Sequence, residues 1–288
     1  MDIPLDVLKL IAGYITKQRM KLLDWIDINN IQWYRLSLNP NAIDLLKDNF
    51  DEINWGDLSK NINGADILET NIDKFIGSYV SFNINAIHIL EANQDRIDWL
   101  ALSANPNAMD LLKAKPDKIN WGYLSSNPNP NAIDWLKNNQ KKINWVVLSL
   151  NPNAIDLLEA NLERINWKYL SSNPNAINLL KANQDKINWD WLSTNPNAMD
   201  LLKANQDKIN WYGLSANPNG IDLLEANLEQ IDWDKLSLNP NGIHLLKSNQ
   251  DKIDWGNLTE NPSIFELDTK QINKNTLDKS MVLDPIIN

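Results

Sequence analysis

The hydrophobic positions of the chain recur in a fixed pattern every 22 residues. In the clearest unit, Ile187 to Lys208, an Ile-x-Trp-x-x-Leu group is followed by Asn-Pro and then by an Ala-x-x-Leu-Leu group. Apolar residues three and four positions apart lie on one face of a helix. A constant period of this length is typical of a solenoid, in which every unit packs against its neighbours.

The tryptophan of this pattern marks eleven successive units. Steps of 22 residues, with one step of 24, give the marker positions Trp33, Trp55, Gly77, Trp99, Trp121, Trp145, Trp167, Trp189, Trp211, Trp233 and Trp255. We therefore predict an all-α helical-repeat solenoid of short helix pairs, with about eleven units and capping ends. Because packed helices lie about 8–10 Å apart, such a stack would form a rod or superhelix on the order of 100 Å long.

The pattern divides the chain into three parts. Residues 1–30 form an N-terminal helical cap, in which Met20 to Ile26 resembles the second half of a unit. Residues 31–258 form the repeat array. Residues 259–288 form a degenerate C-terminal cap and tail, in which residues 261–268 are a worn second helix and the chain from Lys270 onward is polar.

Each unit is predicted to contain two helices with polar caps. Asn and Asp are favoured caps because their side-chain oxygen accepts a hydrogen bond from a free backbone N–H at the helix start. The first-helix caps are Asn54, Asp98, Asn120, Asn144, Asn166, Asn188, Asn210, Asp232 and Asp254. The second helix is predicted to begin at Asn-Pro, because proline at the first helical position loses no hydrogen bond.

Two irregularities interrupt the repeat. Gly77 replaces the marker tryptophan of the third unit, and Ile62 and Ile84 replace proline in the second and third units. Two extra residues lengthen the fifth unit to give Asn-Pro-Asn-Pro-Asn at 127–131, and Trp135 stands where other units have leucine. These changes predict either local repacking or a bend in the solenoid.

Composition restricts the environment of the protein. The formal net charge of −10 argues against nucleic-acid binding, which depends largely on Lys and Arg. The chain has no cysteine, its first residues lack the pattern of a signal peptide, and no apolar run reaches the length of a membrane span. We therefore expect a monomeric protein of the cell interior, with no membrane partner.

The candidate chemical groups favour a protein without catalytic activity. His88 and His244 occupy a repeat position where other units carry Asp or Asn, which is typical of a solvent-facing site. The acidic residues also recur in every unit, as expected of a solvated face. Phosphate loops, nucleophile elbows and His-x-x-x-His spacings are missing from the sequence. We therefore predict no enzyme activity, no catalytic residues, no cofactor and no metal site.

The informative positions are those that the repeat leaves free. The two residues after each marker position vary widely, yet they include five of the six tyrosines and one tryptophan. Tyr and Trp are enriched in the energetically dominant residues of protein interfaces. We predict a partner-binding face with the anchors Tyr34, Tyr79, Tyr123, Tyr169, Trp191 and Tyr212. The alternative is that these rings cover neighbouring turns.

The repeat resembles known protein families in its motif and layout. The string Asn-Pro-Asn-Ala-Ile-Asp-Leu-Leu-Lys-x-Asn-x-Asp-x-Ile-Asn-Trp-x-x-Leu-Ser, over residues 31–268, resembles repeat proteins of the mimivirus-like giant DNA viruses. This resemblance implies a viral protein acting in an infected host, most simply in the host cytoplasm and alternatively in the virion. It implies a host or viral protein as partner, and it implies no mechanism. The layout is also similar to that of leucine-rich variant repeats, which are all-helical solenoids.

The first residues carry a second resemblance. The segment 3–15, with Ile3-Pro4-Leu5-Asp6 followed by Leu and Ile at helical spacing, resembles the first helix of an F-box. That resemblance implies docking to the adaptor subunit of a ubiquitin ligase. Two functions are therefore open: a non-enzymatic scaffold that binds a protein partner, and a substrate adaptor of a ubiquitin ligase with a truncated F-box-like N-terminus.

Overall fold

The computed structural model describes residues 19–269 and confirms an all-α repeat architecture. In these residues 21 short α-helices follow one another, and the two strands there, β1 (Met20–Leu22) and β2 (Phe265–Leu267), have three residues each. The first helices of the units are α1 (Trp33–Leu36), α3 (Trp55–Lys60), α5 (Gly77–Phe82), α7 (Trp99–Ala104), α9 (Trp121–Leu124), α11 (Trp145–Leu148), α13 (Trp167–Leu170), α15 (Trp189–Leu192), α17 (Trp211–Ser215), α19 (Trp233–Leu238) and α21 (Trp255–Glu260). The second helices are α2 (Ile43–Asp48), α4 (Ala65–Glu69), α6 (Ile87–Ala92), α8 (Met109–Ala114), α10 (Pro130–Asn138), α12 (Ile155–Glu159), α14 (Ile177–Ala182), α16 (Met199–Ala204), α18 (Ile221–Glu225) and α20 (Ile243–Ser248).

The predicted caps of the first helices are confirmed. In each of the nine units with a predicted Asn or Asp cap, its side-chain oxygen accepts a backbone N–H two or three residues later, as Asn188 does from Trp191. The first helix then buries its leucine completely, as at Leu192. The second helix adds another fully buried leucine, such as Leu202.

The second helices begin later than predicted. In most units Asn-Pro opens a separate turn, and the α-helix starts four residues after the asparagine, as Met199 does after Asn195. The asparagine side chain accepts the N–H two residues ahead, which fixes that turn. Only Asn129-Pro130, in the lengthened unit, begins an α-helix directly.

The asparagines of these turns also bind the preceding unit. Asn195 is fully buried, and its Nδ2 donates to the carbonyl oxygens of Ser171 (3.0 Å) and Asn173 (2.8 Å). The same pair of bonds recurs at every unit, made by Asn39, Asn61, Asn83, Asn105, Asn127, Asn151, Asn173, Asn195, Asn217, Asn239 and Asn261. We call this set the asparagine ladder.

The asparagine ladder closes on itself, so the array is a ring. Asn39 of the first unit donates to the carbonyl oxygens of Thr259 and Asn261 in the eleventh unit, both at 2.9 Å. The backbone N–H of Gln32 donates to the Thr259 hydroxyl, which repeats the serine bond between other neighbours. Arg35 pairs with Glu260 at 2.7 Å. The first and last units therefore meet like any other two neighbours.

Closure corrects the predicted rod. A rod or superhelix on the order of 100 Å long has two open ends, whereas here each unit turns relative to the last until the eleventh reaches the first. No end of the array is left open to be capped. The predicted caps are corrected with it, because Met20–Leu22 and Phe265–Leu267 form antiparallel strands instead of helices. The predicted helix at 3–15 and the tail from Lys270 lie outside the described residues.

The two strands take the place of the eleventh second helix. Met20 pairs with Leu267 and Leu22 with Phe265, and the Leu23 N–H donates to the Ile264 carbonyl oxygen at 2.9 Å. β1 also packs against α2, where the Met20 N–H donates to an Asp44 carboxylate oxygen. The strand pair thus joins the two ends of the array. It lies on the outer side of the interface between the first and eleventh units, which we call the seam.

The first helices form the inner wall of the ring. At six of the eleven interfaces neighbouring first helices approach each other closely, and within residues 19–269 no two neighbouring second helices approach as closely. On a closed ring the layer with the shorter spacing is the inner one. Phe82 of α5 also reaches Tyr123 of α9, two units away, with ring centroids 6.4 Å apart. Two side chains two units apart can touch only across a concave surface, so this wall faces inward. We call the space that the wall encloses the lumen.

The irregularities of the repeat are local repacking. In the third unit Phe75 fills the buried isoleucine position, and the Arg96 guanidinium lies 3.9 Å from its ring centroid. Asn151 bonds across the lengthened unit to the carbonyls of Ser125 and Asn127, so the asparagine ladder keeps its register. The inserted residues extend α10 to nine residues, and the ladder contacts show no bend at this point.

Replacing Gly77 by alanine is expected to lower the stability of the protein, although most units carry tryptophan there. A Cβ atom at Gly77 would overlap the backbone carbonyl oxygen of Arg96, and a backbone atom cannot move aside without disturbing the fourth unit. We expect a loss of about 1–3 kcal/mol in the free energy of unfolding, measured by urea denaturation. Gly122→Ala is the control, since its Cβ would meet only the Asn120 side chain. Equal effects of the two substitutions would contradict this account.

Candidate binding surface in the lumen

The two residues that follow each marker are the second and third residues of the first helix, and they differ in their surroundings. The second helical residue is mostly exposed, as at Tyr34 (54%) and Tyr212 (57%). The third residue lies against the neighbouring first helix, where alanine and glycine are buried, as at Ala101 and Gly213. The expectation that these variable positions are solvent-exposed is therefore wrong for Ala101 and Gly213 and confirmed for the third residues Tyr79 and Tyr123.

The six predicted anchors all belong to the inner wall. Tyr34, Tyr79, Tyr123 and Tyr212 are exposed by 36–57%, whereas Tyr169 and Trp191 are half-buried. They are spread over six units around the ring, so they do not form one continuous patch. Tyr169 and Trp191 do meet edge to face, with ring centroids 5.0 Å apart. The four exposed tyrosines are therefore available as anchors, whereas the rings of Tyr169 and Trp191 cover a neighbouring helix, as the alternative interpretation predicted.

Basic side chains accompany several of these rings. The Lys60 ammonium lies 4.2 Å from the Tyr79 ring centroid, and the Lys235 ammonium lies 4.7 Å from that of Tyr212. The Tyr212 hydroxyl beside Lys235 raises the pKa of that ammonium, with a smaller contribution from nearby carboxylates. The lysine therefore stays charged, and its attraction to the ring helps to hold the aromatic side chain in place.

A similar arrangement lies at the seam. The Arg35 Nε donates to the Tyr34 hydroxyl at 3.3 Å, and its Nη1 donates to Glu260 and to Asn257. The Tyr34 hydroxyl, followed by the Glu260 carboxylate, raises the pKa of the Arg35 guanidinium. Arg35 thus holds the exposed Tyr34 ring in place where the two ends of the array meet.

Four exposed apolar residues of the wall were missed by the sequence analysis. Leu100 (49%) and Val146 (44%) are second residues of their helices, and Phe82 (49%) and Leu150 (39%) lie one turn further along. The sequence held part of this signal, because the position of Phe82 and Leu150 varies among Leu, Lys, Ala, Ser, Thr and Glu in other units. Phe82 and Leu150 lie outside the two positions that follow the marker, and Leu100 and Val146 are aliphatic, so none of the four fits the pattern of Tyr and Trp at those positions.

Charge is distributed unevenly around the lumen. The variable wall positions are the two residues after each marker and the residue one turn further along. In α5, α7, α9 and α11 these positions carry no charged side chain. We call this part of the wall the apolar sector, and its exposed members are Tyr79, Phe82, Leu100, Tyr123, Val146 and Leu150. The remaining wall, which we call the charged sector, carries four basic and four acidic residues, namely Arg35, Lys60, Lys168, Lys235, Asp57, Asp190, Asp234 and Glu260.

A cavity lies within the apolar sector. It has a volume of about 380 Å³ and lies between α9 and α11, where Gly122 provides no side chain. Tyr123 and Val147 line it together with the polar side chains of Asn120, Ser126 and Asn144. A larger cavity of about 590 Å³ lies at the outer side of the seam, between α20 and the strand pair, and is lined by Trp25, Ile243 and Glu266 among others. Three-residue strands fill less space than a helix, which leaves this second gap.

The outer face carries the histidines and the acidic row. The side chains of His88 and His244 are 52% and 57% exposed, which confirms the prediction of a solvent-facing position. His244 Nε2 lies 2.7 Å from a Glu225 carboxylate oxygen of the neighbouring helix. Between residues 19 and 269, no group of three acidic, histidine or cysteine side chains is placed to hold a metal ion.

Together these features define a class of protein, a closed ring of helical repeats with a structured inner wall. Over the described part of the chain, every helix is too short or too polar to cross a membrane. Comparison of the chain with protein-family models, with curated proteins and with solved structures found no match.

Proposed function

We propose that this ring is a non-catalytic scaffold that binds a protein partner through its inner wall. The observation that carries the proposal is the row of exposed Tyr, Phe, Leu and Val side chains on the first helices. Exposed aromatic and aliphatic side chains held on a rigid support are typical of protein interfaces. The resemblance of the repeat to giant-virus arrays supports a host or viral protein of an infected cell as partner.

The rigidity of the wall adds to this proposal. Each first helix is held to its neighbours by the buried asparagine ladder and by serine hydroxyls such as Ser193, which accepts the Asn210 N–H at 2.9 Å. Side chains such as Tyr212 and Lys235 are further fixed by their mutual contact. A surface that is ordered before binding loses little conformational entropy when a partner arrives.

The dimensions of the lumen suit a macromolecular partner. Eleven first helices packed about 8–10 Å apart enclose a circle through the helix axes of roughly 15 Å radius. Subtracting the body of each helix leaves an opening on the order of 20 Å wide. A single helix of another protein, about 10–12 Å across, could enter such an opening.

Combined replacement of Tyr123, Tyr169 and Trp191 by alanine is expected to weaken partner binding and to leave the fold intact. Ligands would be selected from a displayed library of protein fragments with the wild-type ring, and their affinities measured by calorimetry. We expect at least a tenfold loss of affinity, with a melting temperature within a few degrees of wild type.

The matched control for this experiment is a triple variant of the outer face, Asp156→Ala with Asp200→Ala and Asp222→Ala, all at exposed positions of second helices. It should retain full affinity. Ligands that lose binding to the outer variant and keep it for the inner one would show that the wall is not the binding surface. Failure of the wild-type ring to select any ligand would also refute the proposed function.

A further inference from the structure

We infer that the lumen receives an amphipathic α-helix of the partner, with the apolar stripe of that helix against the apolar sector. This inference rests on the proposed function and specifies the chemistry of the partner. It follows from the division of the wall, because a ligand in the lumen faces an uncharged surface on one side and charges of both signs on the other.

The apolar sector matches an aliphatic or aromatic surface and disfavours a charged one. Its six exposed members leave 36–49% of their surface in water. Covering apolar area stabilises a complex by about 25 cal/mol per Å². A ligand charge placed there would lose its hydration without finding a partner, which is costly. The segment that contacts this sector must therefore be uncharged over its contact face.

The charged sector matches a polar surface of mixed sign. Its charges largely satisfy one another: Arg35 pairs with Glu260 at 2.7 Å, and Lys60 pairs with Asp57 at 3.0 Å. Its net charge is zero, so it provides no strong attraction for a polyanion such as a nucleic acid. A ligand surface of mixed acidic and basic residues can face this sector across the remaining width of the opening and stay hydrated.

An amphipathic helix presents both surfaces at once. Apolar residues at positions i, i+3, i+4 and i+7 form one stripe, and charged residues occupy the opposite face. Grooves that bind such helices recognise a few anchor side chains on the apolar stripe of the helix. The 380 Å³ cavity beside the exposed Tyr123 ring is the place for one anchor, since Gly122 and Val147 leave room there and Asn120, Ser126 and Asn144 add polar groups to its lining.

The probe for this inference is a synthetic 18-residue peptide with leucine at helical spacing and Lys and Glu elsewhere, carrying a fluorescent label. Binding to the full-length ring would be followed by fluorescence anisotropy. A second peptide has the same composition in an order that removes the stripe. We expect the first peptide to bind saturably and the second at least tenfold more weakly. Equal binding of both peptides, or no binding of the first, would overturn the inference.

Leu100→Asp together with Val146→Asp tests the location of the site. Both residues are exposed, and the same helical position is occupied by aspartate in α15 and α19, so the fold tolerates this change. We expect at least a tenfold loss of affinity for the striped peptide. Thr194→Asp together with Ala216→Asp introduces the same two charges at exposed wall positions of the charged sector, at the place that Glu260 occupies in α21. This variant should change affinity less than threefold. Equal losses in the two variants would overturn the assignment to the apolar sector.

The two proposals can fail separately. If the striped peptide does not bind, while library ligands still depend on Tyr123, Tyr169 and Trp191, the helix inference falls and the proposed function stands. If library ligands ignore those three residues, the inner wall is not the binding surface and both proposals fall.

Discussion

A disulfide between positions 21 and 266 is expected to form on mild oxidation and to raise the stability of the protein. Lys21 and Glu266 are direct partners across the strand pair, although they lie near opposite ends of the array. The chain contains no cysteine, so Lys21→Cys with Glu266→Cys introduces a single possible bond. A bond that closes a loop longer than about 100 residues is expected to stabilise by roughly 4–5 kcal/mol, because it restricts the unfolded chain.

The measurement is calorimetry of the oxidised and reduced forms, with gel electrophoresis under non-reducing conditions to confirm the bond. The substitutions remove the ion pair between Lys21 and Glu266, whose side chains are 31% and 45% exposed, so little stability is lost with it. A matched control pairs Lys21→Cys with Glu159→Cys, since Glu159 is an exposed residue at the end of α12, about half the ring away from the seam. A bond that forms as readily in the control, or fails to form at 21 and 266, would contradict ring closure.

Asn195→Asp is expected to be among the most damaging single substitutions in the array. The carboxylate keeps the bond accepted from the Asn197 N–H but cannot donate to the carbonyl oxygens of Ser171 and Asn173. A negative charge would then face two carbonyl oxygens in a site with no exposure to water. Leaving a buried charge uncompensated costs about 3–5 kcal/mol. We expect that loss in the free energy of unfolding at neutral pH, measured by urea denaturation.

Asn197→Asp is the control for this prediction. Asn197 also donates to the preceding unit, at the Pro174 carbonyl oxygen, but it is exposed, so a charge there remains hydrated. Its substitution should cost less than about 1.5 kcal/mol. The Asn195→Asp loss should also shrink at acidic pH, because a protonated carboxyl regains one donor. Similar losses in both variants would mean that burial of the asparagine ladder contributes little.

The helices and their caps were predictable because their causes are local. Asn188 and Trp189 define a helix start by residue type and spacing alone, and Leu192 follows on the buried face. The inter-unit bonds of Asn195 were not predictable in the same way. A capping asparagine and an asparagine that bridges two units have the same sequence pattern, and only the distance to the next unit distinguishes them.

Ring closure could not be predicted from the periodicity of the sequence. The repeat fixes the contacts between neighbours but not the small rotation at each interface, and closure depends on the sum of eleven rotations. Arg35 and Glu260 occupy variable positions, so their pairing gave no signal within any one unit. The same uncertainty applied to the wall: the sequence placed Tyr79 and Tyr123 on the first helices, but it did not show that those helices face inward.

Closure also limits how this protein can change in the course of evolution. An open solenoid can gain or lose units by duplication or deletion, because each unit meets only its neighbours. In this ring every interface turns the chain by roughly 33°, and removal of one unit would require all remaining interfaces to adjust together. The pairing of Leu22 with Phe265 would be lost otherwise. Copy number is therefore fixed by geometry, and length variation is confined to insertions within a unit, of the kind seen at Pro130.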